Sequence, residues 1–307
     1  FRLHARSRKF GGCFSTSSRK GSAGMTGLWR SFSAELYLLR QRKGFRIGIL
    51  LVAFAAILRI GVALLLFRLG ESAGNGGPED HATWNFWPQL AHGARTALFF
   101  AELLLLGLVA GALPREVDSG AARDPFSRRI SRSAFMTSRI LSSLCVAILF
   151  WLVALGAAWL TASLLFEAGD IMEGGDLYLE ESEVTGPIYA AFWHALPPML
   201  ALATLATLLS AALRRGVVAA GVCFGLVLLP GIFHDTLGSI APWFFADTLA
   251  GFGEDSFLAE AAGFASAIAQ AYPADFDAIV EIGWIASWPA ILCFALLALL
   301  TFRRRPL

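Results

Sequence analysis

Hydrophobic positions fall in six blocks, near 47–67, 94–113, 140–165, 188–213, 216–234 and 282–302, and the stretches between them are polar, charged or Gly-rich. Each block comes near or exceeds the roughly 20 helical residues that cross a hydrocarbon layer of about 30 Å. The pattern predicts an all-α polytopic membrane protein with six transmembrane helices. Only Arg214, Arg215 and Gly216 separate the fourth and fifth blocks. The 188–234 run is too long for one crossing, so the basic pair at its middle predicts a tight hairpin. Ahead of the first block, Leu28, Phe32, Leu36 and Leu39 recur every three or four residues, with Trp29 beside them and Arg30, Glu35 and Arg40 around them. That spacing predicts an amphipathic interfacial helix over 25–46, which serves either as an anchor for the first span or as an elbow that docks a partner. Before the last span, Trp243, Phe244, Phe245, Leu249, Phe252, Phe257 and Phe264 alternate with small and acidic residues. Aromatic rings prefer the membrane interface, so 239–271 is expected to form short interfacial or re-entrant helices.

Composition agrees with a lipid environment: 56% of the residues are hydrophobic and 16% charged, against about 25% charged in soluble domains. The distribution of charge adds orientation. Of the 25 Lys and Arg, 11 lie in residues 1–46 and six in 114–139 (Arg115, Arg123, Arg128, Arg129, Arg132, Arg139). Arg214 and Arg215 occupy the hairpin, and Arg303, Arg304 and Arg305 the tail. The alternate connections, 69–94, 166–187 and 235–281, contain no Lys or Arg and carry 18 of the 23 acidic residues. Basic residues flanking spans stay on the cytoplasmic side, so both termini are expected there. The formal net charge of +2 averages two oppositely charged faces.

Residues 1–24 are rich in Arg and Ser, lack any acid and begin at Phe1. They are expected to be a disordered or non-native extension, with Met25 as the natural start and 47–307 as the membrane domain. The acids of 166–187 (Glu167, Asp170, Glu173, Asp176, Glu180, Glu181, Glu183) lack the spacing of a calcium loop and are read as a solvated cap. Cys13, Cys145, Cys223 and Cys293 are scattered, so neither a disulfide framework nor a Cys-x-x-Cys pair is readable.

The connection after the second block runs Pro114-Arg115-Glu116-Val117-Asp118-Ser119-Gly120, continues through Arg128-Arg129-Ile130-Ser131-Arg132, and reaches Arg139 as the third block opens. Taken alone, such a loop is a positive-inside stop signal, or an Arg-dense surface offering charge-assisted contacts to a soluble partner. Its spacing resembles the permease subunits of ATP-binding-cassette exporters of the second type, the drug and polysaccharide exporter class. Those show a Glu, a Gly four residues on, a Pro-x-Ser-Arg stretch and a Lys seven residues after that Arg. Glu116, Gly120, Ser131, Arg132 and Arg139 fall on that spacing, with Arg129 where Pro is usual and Arg139 in place of Lys. The motif covers about 24 residues. The resemblance implies that these five residues couple the spans to a separate nucleotide-binding ATPase subunit that holds ATP and Mg. It also implies a second permease subunit, the same chain or a related one, and a bacterial inner membrane. No cofactor or metal is expected on this chain. Only Lys9, Lys20 and Lys43 are present, and none follows Gly to end a phosphate-cradling loop. An ATPase-independent six-span secondary transporter or a membrane assembly factor is the alternative.

Enzyme chemistry finds few parts. The histidines are His4, His81, His92, His194 and His234, and no His-Glu-x-x-His pair exists. Gly263-Phe264-Ala265-Ser266 has the look of a serine-protease turn, but no His follows it. His194, near Pro197 and Pro198, is read as packing at a kink or as a contact on a substrate pathway. Finally, Arg59 and Glu102 lie roughly 18 and 16 Å from the cytoplasmic ends of spans one and two at about 1.5 Å per residue. Charges at that depth seek partners, so an intramembrane Arg59–Glu102 ion pair is expected.

Overall fold

The computed structural model describes residues 22–72, 84–118, 130–173, 176–253, 256–266 and 276–304. Its helices, in chain order, are α1 (Ser22–Gln41), α2 (Lys43–Ser72), α3 (Phe86–Ala110), α4 (Ala112–Asp118), α5 (Arg132–Leu165), α6 (Glu181–His194), α7 (Leu196–Ala212), α8 (Gly216–Ile232), α9 (Phe257–Ala265) and α10 (Phe276–Arg304). Among the described residues, five stretches are long and apolar enough to cross a membrane: Lys43–Leu69, Phe86–Asp118, Arg132–Leu165, Glu181–Ala212 and Glu281–Arg304. The fifth apolar block of the sequence becomes α8, whose 17 residues rise only about 25 Å. Six full-length spans were expected; five of that length and one shorter apolar helix are found.

Element ends follow local chemistry. Ser131 caps α5 by accepting from the Ala134 amide at 3.2 Å, and Asn85 caps α3 through Trp87 N. The Asn85 amide group also donates to the carbonyls of Gly169 and Asp170, tying α3 to the connection after α5. Pro197 and Pro198 cannot supply amides to the turn before them, so α6 ends at His194 and α7 starts at Leu196. In that broken turn the Trp151 indole donates to the Phe192 carbonyl at 2.9 Å. Between α7 and α8 the basic pair does make a tight reversal. Gly216 is required there, because a Cβ would come within 3.1 Å of the Gly111 carbonyl oxygen.

One feature departs from an all-helical reading. Ile171–Glu173 and Asp176–Leu179 pair as an antiparallel hairpin, Ile171 opposite Leu179. Gly174-Gly175 stands between the strands in sequence, and Ile171 is fully buried, so the acidic connection is pinned by an apolar residue and is not solvated throughout.

The main core runs along α3, which packs against α2, α5, α7 and α9, and its buried positions are dominated by Ala and Leu. A smaller cluster of Leu113, Phe135, Met136, Ile140, Ala211, Ala298 and Phe302 closes one end. That end also gathers Arg42, Glu116, Arg132, Arg214 and Arg304, and is called the basic end below; the hairpin and α9 lie at the acidic end.

Candidate functional site

At the basic end, charges of four elements converge. Glu35 lies on α1, Arg42 between α1 and α2, Glu116 on α4 and Arg139 about two turns into α5. Arg139 Nε lies 3.2 Å from Glu35 Oε1, and its terminal nitrogen pairs with Glu116 Oε2. The other Glu116 oxygen accepts from Arg42 at 2.5 Å. The order is Arg42–Glu116–Arg139–Glu35, alternating in sign and formally neutral. Glu35 and Arg139 are each 8% exposed. Beside them the Ser31 and Ser138 hydroxyls share a hydrogen bond at 2.9 Å.

Local sequence builds this junction. Ser31 and Glu35 are four residues apart on α1, and Ser138, Arg139 and Ser142 recur within one turn of α5, so each helix presents a polar strip one turn long. The strips face each other. Guanidinium geometry matters here, since a planar fork reaches two carboxylates from different directions where an ammonium is a point charge. A crevice of about 50 Å3 lies behind the junction, bounded by Ser142, Ser143, Thr207 and Ser210. It is far smaller than the roughly 300 Å3 at which ligand pockets begin, so the junction is a structural tie with no room for a drug-sized substrate.

Of the five motif residues, Glu116 and Arg139 are brought into direct contact. Ser131 is the α5 cap, and Arg132 donates to the Arg303 carbonyl at 3.2 Å, joining α5 to the end of α10. Gly120 lies outside the described residues. Glu35 and Arg42 are the participants that sequence reasoning missed. Glu35 stood out only as a charge beside an apolar stripe, and nothing in the spacing named Arg139 as its partner. Next to the junction, Val117, Asp118, Ala211, Ala212, Arg214, Thr301 and Arg304 border an open cleft of about 370 Å3. Asp118, Arg214 and Arg304 are exposed there.

The expected Arg59–Glu102 ion pair is not formed. Glu102 is fully buried and receives the Gly251 amide on both oxygens, at 3.2 and 3.3 Å. The neighbouring amides of Ala250 and Phe252 also act on it. Arg59 faces a different space, a groove it shares with Thr96 and Phe100 of α3. Two residues on from Phe100, Glu102 is turned about 200° around the helix axis. Matching depth did not mean matching faces. The carboxylate instead holds the segment after α8, which passes through a helical turn His234–Leu237 and a 3-10 turn Gly238–Trp243 before reaching α3. Asp247 and Thr248 of that segment are buried.

His194 accepts from the Trp284 indole and stacks edge-on to Phe257 at 5.2 Å. It thereby joins the α6–α7 break to α9 and α10, a packing environment.

The structure does pair Ser266 with a histidine that precedes it: His92 Nε2 lies 2.9 Å from Ser266 Oγ. Yet that hydroxyl is 2.6 Å from the Ala262 carbonyl, where it is the only group able to donate. The serine proton is thus spent on the helix end, and His92 serves as donor to Oγ, the reverse of a general base. Among the described residues no cluster of three or more His, Cys, Asp or Glu could hold a metal. Compared with known proteins, the chain matches no protein-family model and no curated protein.

Proposed function

We propose that this chain is the membrane-spanning permease subunit of an ATP-driven exporter, with α8 as a sixth, short span and both termini cytoplasmic. The observation that carries the reading is the junction at the basic end. It unites the entry helix α1, the connection between spans two and three, and the start of span three, the parts on which a soluble motor would push. Glu116 and Arg139 act inside this junction by making α1, α4 and α5 move together. The contact surface for an ATPase subunit is then the exposed rim formed by Asp118, Arg214 and Arg304. ATP and Mg belong to that partner, whose closure biases the spans between two arrangements. The re-entrant segment held at Glu102 plugs the acidic end.

Purification from native membranes tests this directly: a nucleotide-binding protein should co-elute, and Asp118→Lys or Gly120→Val should remove substrate-stimulated ATP hydrolysis without reducing the amount of folded chain. Absence of any such partner, or stimulation unchanged in both variants, would favour an ATPase-independent transporter or assembly factor.

Orientation has its own test. In a background without native cysteines, Asp176→Cys and Ile240→Cys, both at exposed positions of the acidic end, should react with an impermeant thiol reagent on intact cells. Arg215→Cys should be protected until the cells are opened. The opposite pattern would invert the topology drawn from the basic residues.

A further inference from the structure

The crease between α2 and α3 is open on the outside of the bundle and forms a groove of about 400 Å3 lined by Leu51, Phe54, Leu58, Arg59, Thr96 and Phe100, among others. Its walls are apolar apart from Arg59 and Thr96, and the Thr96 hydroxyl is committed to the His92 carbonyl at 3.0 Å. Arg59 is the unusual member. It lies 16 residues from Lys43 and ten from Leu69, the limits of the apolar stretch. That is about 24 and 15 Å along the helix, too far from either end for a side chain to reach easily.

A guanidinium at such depth requires an anion or water, and none of the described carboxylates pairs with it. Among the described residues Arg59 makes no ion pair. The charged and titratable groups around it are themselves basic: Arg59 and Arg95 both act on His92, and Arg68 is further along α2. Glu102, the one acid within α3, is held on the opposite face by Gly251. The groove therefore combines an apolar channel on the outside of the bundle with one guanidinium, Arg59, inside it.

We infer that the α2–α3 groove binds an anionic phospholipid, whose acyl chain lies along Leu51, Phe54 and Leu58 and whose phosphate is drawn down to Arg59. Charge selects the occupant: Arg59 is the charged residue among those lining the groove, and an anionic headgroup neutralises it, whereas a zwitterionic lipid brings its own cation beside it. The site does not depend on the exporter reading and would serve a transporter of either kind.

The test uses the full-length protein reconstituted in vesicles of phosphatidylcholine and phosphatidylglycerol at 3:1, re-extracted in mild detergent, with retained lipid measured by mass spectrometry. The ratio of phosphatidylglycerol to phosphatidylcholine in the retained lipid should exceed that of the vesicles by about tenfold, the worth of one charge-assisted hydrogen bond. Arg59→Gln should abolish the enrichment and Arg59→Lys should keep most of it. Val62→Trp, which fills the groove and leaves the charge, should abolish it as well. Thermal unfolding midpoints close to wild type identify the variants as folded. Equal enrichment in wild type and Arg59→Gln would overturn the assignment, as would no enrichment in the wild type. Displacement of the lipid by millimolar inorganic phosphate would reassign the site to a free anion.

Discussion

Arg139→Met should lower the stability of the protein in detergent by about 3–5 kcal/mol, the usual cost of removing one member of a buried ionic cluster. The substitution strands Glu35, which forms no other ion pair among the described residues, and removes one of the two arginines paired with Glu116. Because the lost stability comes from uncompensated charge, Glu35→Gln made together with Arg139→Met should recover part of it, giving a coupling term in the double-mutant cycle. Arg139→Lys should fall in between, since it keeps the charge but replaces the separated donors of the guanidinium fork with a single ammonium point charge. Arg42→Met should cost no more than about 1 kcal/mol, as that side chain is 38% exposed and exposed pairs contribute little. A midpoint for Arg139→Met within a degree or two of wild type would show that the charges do not hold α1 to α5.

The second large effect is expected at Glu102. Glu102→Ala removes the acceptor for the Gly251 amide and opens a void beneath it. Each orphaned buried donor costs about 1–3 kcal/mol, so exchange of the amides at 249–252 with deuterium should speed up by about tenfold to a hundredfold. Gly251→Val should do the same from the other side, because a Cβ at Gly251 would collide with the Phe99 backbone. Glu102→Gln retains one acceptor oxygen and should have a smaller effect. Global unfolding need not change, since α3 keeps its apolar contacts on three other sides. Exchange at 249–252 equal to wild type in both Ala and Val variants would refute the idea that Glu102 anchors the segment.

Much of the architecture was legible because bilayer thickness translates directly into run length, and the charged turns at Arg214–Arg215 and before Arg139 separate the runs. The aromatic segment before α10 follows from an equally local rule, whereas Ser131, read only as part of the coupling motif, proves to be the α5 cap. What stayed hidden were matters of facing. On α1 the apolar stripe suggests a buried side, yet Leu28, Phe32 and Leu39 are only half-buried and Leu36 is exposed, while Ser31 and Glu35 beside them are buried. In lipid, apolar residues are as content outside a bundle as inside, and polar residues mark the contacts between helices. Periodicity therefore identifies two faces of α1 without saying which one meets protein. Glu102 failed for a related reason: depth can be counted along a helix, but azimuth depends on which neighbour packs where. The Ile171–Leu179 hairpin was missed because its strands are too short for alternation to register against a run of acids.

The polar strip of α1 has a consequence for how the chain is made. Ser31 and its partner Ser138 are 107 residues apart, and at roughly 5–20 residues per second of synthesis the partner emerges about 5–20 s later. Until then Glu35 has no Arg139, and α1 must wait at the membrane surface, where its apolar side touches lipid and its acid stays in water. The entry helix is translated before its partner and docks only once the start of α5 has emerged. Closure of the junction thus reports that the third span has been delivered, and a chain stalled before residue 139 would expose a negatively charged strip that a finished one conceals.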